Sequence, residues 1–293
     1  MQAPLFDPGK SPYLVSFDGD FRLSKAETSA KDKPPKAENV EALAAAVARI
    51  DKIQRKLYAD DRFAILLVFQ AMDASGKDGT IRAVLSGVNP AGCEVYNFKA
   101  PSHEELDHDF MWRAIRCLPE RGRIGVWNRS HYEEVTTVRV NPKFLGAQHL
   151  PREIPHEKLW DERLDSIREH EKYWARNGVV VLKFFLNVSR DEQKERLLER
   201  IDDPEVNWKF DASDLAARKQ WKEYMEAYEI AMNETSRAHA PWYCIPADSK
   251  SFMRRAVAEI IADTLETLDL RWPVLAPDKY AEMLALREEL VKD

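Results

Sequence analysis

Apolar stretches alternate with amphipathic stretches along the chain, and this alternation predicts the class of fold. Strand-like stretches lie at residues 63–69, 94–98, 124–127, 179–187 and 242–245. The first of them, Phe-Ala-Ile-Leu-Leu-Val-Phe, is apolar at every position, as a central strand requires when helices cover both of its faces. Helical stretches separate the strands, which indicates right-handed βαβ connections. We therefore predict an α/β protein with three α/β/α layers around a five-stranded, mainly parallel sheet.

The spacing of apolar residues and the capping residues predict where the helices lie. Asn39 is expected to cap a first helix that ends near residue 58. Further helices are expected over residues 77–86, 103–117 and 251–268. Residues 190–238, between the fourth and fifth strands, hold more helix than one connection needs, and we expect them to form an insertion.

The two ends of the chain differ from this pattern. Residues 1–39 have few periodic apolar positions and include a Lys-Pro-Pro-Lys run, which predicts an irregular arm over the surface. Residues 40–270 contain all the predicted strands and are expected to form the main domain. Residues 271–293 predict a helical tail that could dock on a second subunit or on its own domain.

The composition restricts the class of protein further. The 293 residues are 44% hydrophobic and 32% charged, with 44 basic and 50 acidic side chains and a net charge of −6. No apolar run approaches the roughly 18 residues that cross a bilayer, and the negative net charge argues against general nucleic-acid binding. The N-terminal residues lack a secretory pattern, and Cys93, Cys117 and Cys244 are interpreted as small buried side chains rather than disulfide partners. We therefore predict a cytoplasmic protein without a nucleic-acid or membrane partner.

A phosphate-binding loop is expected directly after the first strand. A strand, a tight turn with Gly-Lys at its end and then a helix present backbone N–H groups to an anion, and Lys77 adds a positive charge. Compared with G-x-x-x-x-G-K-[ST], Ala71 replaces the first glycine and Asp78 stands where a magnesium-binding hydroxyl is usual. The alternative is a loop that needs its glycines only for its backbone conformation. The expected phosphate-binding residues of the loop are Ala74, Ser75, Gly76, Lys77, Asp78, Gly79 and Thr80.

Asp73 is a carboxylate inside this loop, where it would repel a phosphate unless a cation lies between them. Magnesium binds through one or two carboxylates plus phosphate oxygens, so Asp73 is a candidate Mg²⁺ ligand. It could also accept a proton from the attacking group, or merely cap the following helix.

The residues after the third strand form a second candidate set. Ligands of open α/β sheets bind beyond the carboxyl ends of the strands, so Arg129 is expected on the same edge as Lys77. Its planar guanidinium could neutralise the charge of phosphoryl transfer, or it could simply pair with a nearby glutamate. Glu133, one turn later, could hold a second metal ion or exclude a negative group.

Basic residues recur outside these two segments. Singly they are typical of a solvated surface, but beside a phosphate loop some of them could close over a long anionic ligand. Those that we include in the candidate phosphate site are Arg82, Lys99, Arg190, Arg196, Arg200 and Lys209.

Several of these motifs together resemble the polyphosphate kinase 2 family. They are residues 73–80, 86–90, 98–101, 128–133, 207–210 and 240–248. The resemblance implies a P-loop kinase fold similar to thymidylate kinase, with a helical lid over residues 190–238. It also implies reversible, Mg²⁺-dependent phosphoryl transfer between inorganic polyphosphate and adenine or guanine nucleotides. By motif position Asp73, Lys77 and Arg129 match the catalytic groups of the family.

One motif differs from the most frequent family pattern. Where the family often has Asp-Arg-Ser-Trp-Tyr-Asn, this chain has Asn128 at the first position and Glu133 at the last. This is similar to the subgroup called class III, which phosphorylates both AMP and ADP, and it makes these two residues candidates for nucleotide selectivity. The alternatives are an ATP-dependent nucleotide kinase and a non-catalytic polyphosphate or nucleotide sensor. A homodimer or homotetramer is the default expectation for the assembly.

Overall fold

A computed structural model describes residues 5–151 and 153–292 of the chain. Its five strands form one parallel sheet in the order β2-β3-β1-β4-β5. They are β1 (Ala64–Gln70), β2 (Cys93–Asn97), β3 (Ile124–Asn128), β4 (Val179–Asn187) and β5 (Trp242–Pro246). The predicted five-stranded parallel α/β fold is therefore confirmed.

Helices cover both faces of this sheet. Within the described residues the α-helices are α1 (Lys36–Asp60), α2 (Lys77–Leu85), α3 (His103–Leu106), α4 (Trp112–Ile115), α5 (Thr137–Val140), α6 (His156–Arg176), α7 (Arg190–Asp202), α8 (Ala212–Lys219), α9 (Trp221–Thr235), α10 (Lys250–Glu266) and α11 (Pro277–Leu290). Helices α1, α2 and α10 pack on one face, and α6 and α9 pack on the other. Every residue of β1 is buried, because this strand lies at the centre of the sheet between both layers.

Two helix predictions are wrong in detail. Helix α1 begins at Lys36 behind Pro35, and the buried Asn39 donates its side-chain amide to the carbonyl of Pro34 instead of capping the helix. The single helix predicted over residues 103–117 is two short helices, α3 and α4. Between them the carboxylate of Asp109 accepts the N–H of Met111 at 2.9 Å, a local side-chain bond that competes with a continuous helix.

The N-terminal arm does more than cross the surface. Val15 donates its N–H to the carbonyl of Trp242 at 2.9 Å, and the N–H of Cys244 donates to the carbonyl of Tyr13 at 2.8 Å. Phe6 and Val15 are buried. The arm therefore covers the outer edge of β5, which would otherwise present unpaired backbone groups. Residues 1–4 of the predicted arm lie outside the described residues.

The C-terminal helix and the three cysteines differ in their exposure to solvent. All residues of α11 are exposed, and residue 293 of the predicted tail lies outside the described range. Cys93, Cys117 and Cys244 are free thiols, but only Cys244 is buried and the other two are half-buried. Among the described helices none is long and apolar enough to span a membrane.

Candidate active site

The loop after β1 has an unusual backbone. Ala74 and Gly76 adopt positive φ angles of 60° and 99°, and α2 begins at the next residue, Lys77. Glycine takes this conformation without strain, whereas alanine does so at a cost of about 1 kcal/mol or more. Such strain persists where the surrounding structure over-determines the turn, as it does in this loop.

The side chain of Lys77 lies across the loop that precedes it. Its Nζ donates to the carbonyl of Ala71 at 3.0 Å and to the carbonyl of Met72 at 3.4 Å. Burial first, and the neighbouring Arg129 second, lower the pKa of Lys77. Among the described residues no carboxylate accepts directly from Nζ, so a phosphate at the loop would supply a direct counter-charge for this buried ammonium.

Arg129 reaches the same place from β3. Because β1 and β3 end in register, with Phe69 beside Asn128, the N–H of Arg129 donates to the carbonyl of Phe69 at 3.0 Å. Arg129 also has a positive φ of 61°, and its Nη2 donates to Oδ1 of Asp73 at 2.6 Å. Glu133 first, and then Asp73, raise the pKa of Arg129 against the effect of burial.

These groups line an open cleft of about 720 Å³ at the carboxyl edge of the sheet. Its basic side chains within the described residues are Lys77, Lys99, Arg129, Arg196, Arg200, Lys209 and Lys250, and its acidic ones are Asp73, Asp78, Glu199, Asp203 and Asp214. The cleft thus carries more positive than negative side chains although the chain as a whole carries −6. A larger cavity of about 930 Å³ lies between the N-terminal arm and α10, and its lining contains no residue of the loop. We therefore take this cleft as the candidate active site.

Comparison with known proteins identifies the family to which these features belong. The family model described as Polyphosphate kinase 2 (PPK2) matches residues 33–272. The chain belongs to the polyphosphate kinase 2 family. It is similar to the ADP-polyphosphate phosphotransferase of Rhodopseudomonas palustris, with 51% identity over 253 residues that cover 86% of this chain and 88% of the relative. It is also similar to the AMP/ADP-polyphosphate phosphotransferase of Meiothermus ruber, with 42% identity over 277 residues that cover 94% and 98% of the two chains.

A solved structure agrees with this assignment. The crystal structure of polyphosphate kinase 2 from Arthrobacter aurescens superposes with a TM-score of 0.86 and 34% sequence identity, covering 98% of this chain and 99% of the other. The similarity therefore includes the whole fold as well as the motifs.

In this member of the polyphosphate kinase 2 family, α7 braces the phosphate loop from behind. The guanidinium of Arg196, buried at 5% exposure, donates to the carbonyls of Ser75 at 2.8 Å and Ala247 at 2.6 Å. Gln193, one helical turn earlier, donates to the carbonyl of Asp73 at 3.0 Å. These donors neutralise carbonyl oxygens that would otherwise repel a bound phosphate. Arg196 is a predicted phosphate-binding residue, whereas Gln193 is not. Only its place on the same face of α7 as Arg196 could have indicated a role for Gln193.

Asn128 connects three segments at the mouth of the cleft. Its Nδ2 donates to Oδ1 of Asp78 on α2 and to Oδ1 of Asn97 at the end of β2, both at 2.8 Å. Its own Oδ1 is buried and has no hydrogen-bond donor among the described residues. Asn128 therefore fixes the position of Asp78 and keeps one acceptor unused.

Glu133 lies behind Arg129 and outside the lining of the cleft. The hydroxyl of Thr137 donates to its carboxylate at 2.6 Å. With the amide of Gln70 oriented to satisfy both of its ends, that amide donates to the other carboxylate oxygen at 3.0 Å. This arrangement makes Glu133 a fixed counter-charge for Arg129, and it leaves little capacity for a metal ion.

The remaining predicted phosphate-binding residues lie in three settings: in the cleft wall, inside the fold, or outside the cleft. Lys99 and Lys209 are exposed in the cleft wall, and Arg200 lies there with Nη1 donating to Asp214 at 3.0 Å. The buried Thr80 donates its hydroxyl to the carbonyl of Gly76, the residue that precedes α2, at 3.0 Å. Two exposed candidates lie outside the cleft lining, namely Arg82 and Arg190.

The oxygen atoms at the loop fit a magnesium ion. Asp73 uses Oδ1 for Arg129, and no described residue donates to its Oδ2. No group of three or more His, Cys, Asp or Glu side chains is positioned to enclose a metal ion within the described residues. Mg²⁺ needs only one or two protein carboxylates when phosphates and waters complete its octahedron, so this donor set suits it.

Proposed function

We propose that this enzyme transfers a phosphoryl group reversibly between inorganic polyphosphate and nucleoside mono- and diphosphates, converting AMP to ADP and ADP to ATP. The observation that carries the proposal is the ion pair of Arg129 with Asp73, directly beside Lys77 in a basic cleft of an acidic protein. The names of the two relatives support polyphosphate as the donor.

The three side chains act by position and charge. Lys77 binds phosphate oxygens at the loop, where its Nζ donates only to carbonyl oxygens within the described part of the chain. Arg129 uses its remaining N–H groups to hold the transferring phosphoryl group, which carries charge on all three of its equatorial oxygens. Asp73 would hold Mg²⁺ through its unused oxygen, and the ion when bound neutralises charge on the phosphate chains. In-line transfer needs little further help from the protein, because positioning and charge neutralisation lower most of the barrier.

Asn128 supports the use of AMP as well as ADP. It adds no charge at the mouth of the cleft, where Asp78 and Asp73 are already negative. An anionic acceptor therefore meets less repulsion than it would with an aspartate at this position. The Meiothermus ruber relative, whose name includes both nucleotides, is consistent with this proposal.

Within residues 190–238, the predicted lid, α7 is bonded to the phosphate loop and α9 is packed in the core, so we propose that the segment between them, residues 203–220, acts as the lid. Helices α7 and α8 face each other through Arg200 and Asp214, and both side chains line the cleft. Movement of this segment toward the loop would bring Lys209, which precedes α8, over the bound phosphates and exclude water. We further propose a homodimer or homotetramer, and a cytoplasmic location that suits three free thiols.

Incubating the purified protein with ADP, polyphosphate and Mg²⁺, but no ATP, tests the main proposal. ATP should form, and Lys77→Ala should abolish its formation while circular dichroism shows an intact fold. Arg121→Gln is the matched control, because Arg121 is exposed and precedes β3 at the opposite edge of the sheet. Transfer from ATP but not from polyphosphate would instead identify a nucleotide kinase, and binding without turnover would identify a sensor.

The same assay with AMP tests the acceptor range. Formation of ADP from AMP and polyphosphate is expected. ATP from ADP without any ADP from AMP would reject the dual use while leaving the polyphosphate activity in place. A parallel panel with GMP and GDP measures the base preference.

A further inference from the structure

Two arginines beyond the cleft lie close together, and neither pairs with a carboxylate of the described residues. The guanidinium of Arg254 on α10 lies against Gly79 of α2, so closely that a Cβ on this glycine would be 3.0 Å from Nη2. Its Nε is buried, and no described residue accepts from it. Arg82 follows Gly79 by one turn of α2, is exposed, and has no hydrogen-bond or ion-pair partner among the described residues. After burial, the proximity of Arg82 and then of Arg196 is what lowers the pKa of Arg254.

Neighbouring arginines on the same layer are paired. Arg255, the next residue on α10, binds Glu38 at 3.0 Å and Glu259 at 2.9 Å. Arg49 on α1 binds the carboxylate of Glu266 at 2.6 Å. Two adjacent like charges without a carboxylate are unfavourable, and an anion bound between them removes that cost. The contrast therefore indicates that an external anion belongs at Arg82 and Arg254.

The position of this pair points to the chemistry of the anion. Lys250 lies one turn before Arg254 on α10 and lines the cleft, as Gly79 does on α2. Arg82 and Arg254 are not themselves in the lining, so each lies one helical turn beyond a residue that is. A chain of phosphates that enters the cleft at Lys77 can continue along these side chains, whereas a nucleotide or a single phosphate ends within it.

We propose that Arg82 and Arg254 form an outer polyphosphate site, which holds units of the chain beyond the reacting one and makes affinity depend on chain length. The inference rests on the proposed function, since it specifies where the donor lies. Each arginine adds a modest charge-assisted contact, so loss of both should raise KM for long polyphosphate about tenfold. The KM for tripolyphosphate and the KM for ADP should stay within about twofold of wild type, because neither ligand extends past the cleft.

The experiment compares wild type, Arg82→Gln, Arg82→Gln/Arg254→Gln and the control Arg121→Gln. Steady-state kinetics with tripolyphosphate and with long-chain polyphosphate give the ratio of their KM values. Equilibrium binding of long-chain polyphosphate without nucleotide, measured over a range of salt, gives a readout that does not need turnover. Losing two cationic contacts should flatten the salt dependence of that binding. Arg82→Gln changes an exposed residue without partners, so it keeps the test valid if the double variant does not fold.

The outcomes separate the two proposals. A rise in KM restricted to long chains, with a flatter salt dependence, supports the outer site. An equal rise for both chain lengths, a fall in kcat alone, or no change in any variant overturns it. Absence of turnover by the wild type would instead contradict the proposed function, and the binding measurement would still decide whether the two arginines contact polyphosphate.

Discussion

Replacing Lys183 with methionine tests how the segment after Arg129 is anchored. Lys183 lies in the middle of β4 with no exposed surface, and its Nζ donates to Oε2 of Glu171 at 2.6 Å. It also donates to the hydroxyl of Tyr132 and to the carbonyl of Thr235, both at 2.9 Å. Three acceptors satisfy the three hydrogens of an ammonium group, so we treat the pair as charged. Methionine keeps most of the volume but leaves Glu171 buried without a cation.

The magnitude follows from the burial of both partners. Removing one member of a buried ion pair costs about 3–5 kcal/mol, because the remaining charge is uncompensated. A domain has only about 5–15 kcal/mol of stability, so the variant should lose a large part of it. Burial already raises the pKa of Glu171, and the loss of Lys183 removes the largest influence that lowers it. A carboxyl whose folded pKa is raised gives stability below its unfolded pKa and loses it as pH rises, so the deficit should grow with pH.

Urea denaturation followed by circular dichroism at pH 5.5 and pH 7.5 measures both effects. We expect Lys183→Met to lose about 3–5 kcal/mol at pH 7.5 and less at pH 5.5. Lys183→Met/Glu171→Leu should recover part of the loss, because it removes the stranded charge. Lys172→Met is the control, since Lys172 pairs with Glu169 at 3.3 Å on the surface and should cost under about 1 kcal/mol. A variant within 1 kcal/mol of wild type, or a deficit independent of pH, would refute this reasoning.

Three further changes test the loop and the sheet. Gly178→Ala should lower the free energy of unfolding by about 1–3 kcal/mol, because φ is 91° and the new Cβ would lie 2.9 Å from the carbonyl of Arg62. An unchanged thermal midpoint in calorimetry would contradict this. Gln193→Ala removes the donor to the carbonyl of Asp73 and should reduce kcat about tenfold, with KM for ADP little changed. A variant that keeps the kcat of the wild type would show that this hydrogen bond is dispensable. Thr80→Val should keep Mg²⁺-dependent turnover within about twofold, because its hydroxyl already donates to the carbonyl of Gly76. A loss on the order of 100-fold would show that this hydroxyl takes part in catalysis.

The fold was predictable because its main signals are local. The strand predicted over residues 179–187 has the bounds of β4, since its run of β-branched and aromatic residues is long and ends at a helix cap. The break between α3 and α4 was not predictable, because apolar spacing favours one helix there and only the bond from Met111 to Asp109 shows the interruption. A lysine inside β4 likewise gives no local sign that it is buried. Its partner Glu171 lies on another element, and only the folded chain brings them together.

The site shows the same division. The order of a strand, a glycine-containing turn and Lys77 led to the loop, and the topology rule led to Arg129 at the same edge. Roles within the site depend on hydrogen bonds over long sequence separations, and residue type alone cannot assign them. Arg196 is the example: it is predicted to bind phosphate, and the structure adds contacts of its guanidinium with carbonyls of the loop and of the segment after β5 that residue type could not reveal.

What makes an arginine available to a phosphate chain is therefore its partners more than its position. In this cleft the guanidinium of Arg196 donates to the carbonyls of Ser75, Ala247 and Asp248, so it cannot turn to an anion without losing several bonds. Arg129 is held by one oxygen of Asp73 through one nitrogen, which leaves the rest of its guanidinium for substrate. Arg82 and Arg254 have no such partner among the described residues, so an anion could bind there without breaking a bond of this kind. An acidic protein can thus bind a polyanion because carboxylates pair with the arginines that serve structure, while the unpaired cations mark the path of the chain.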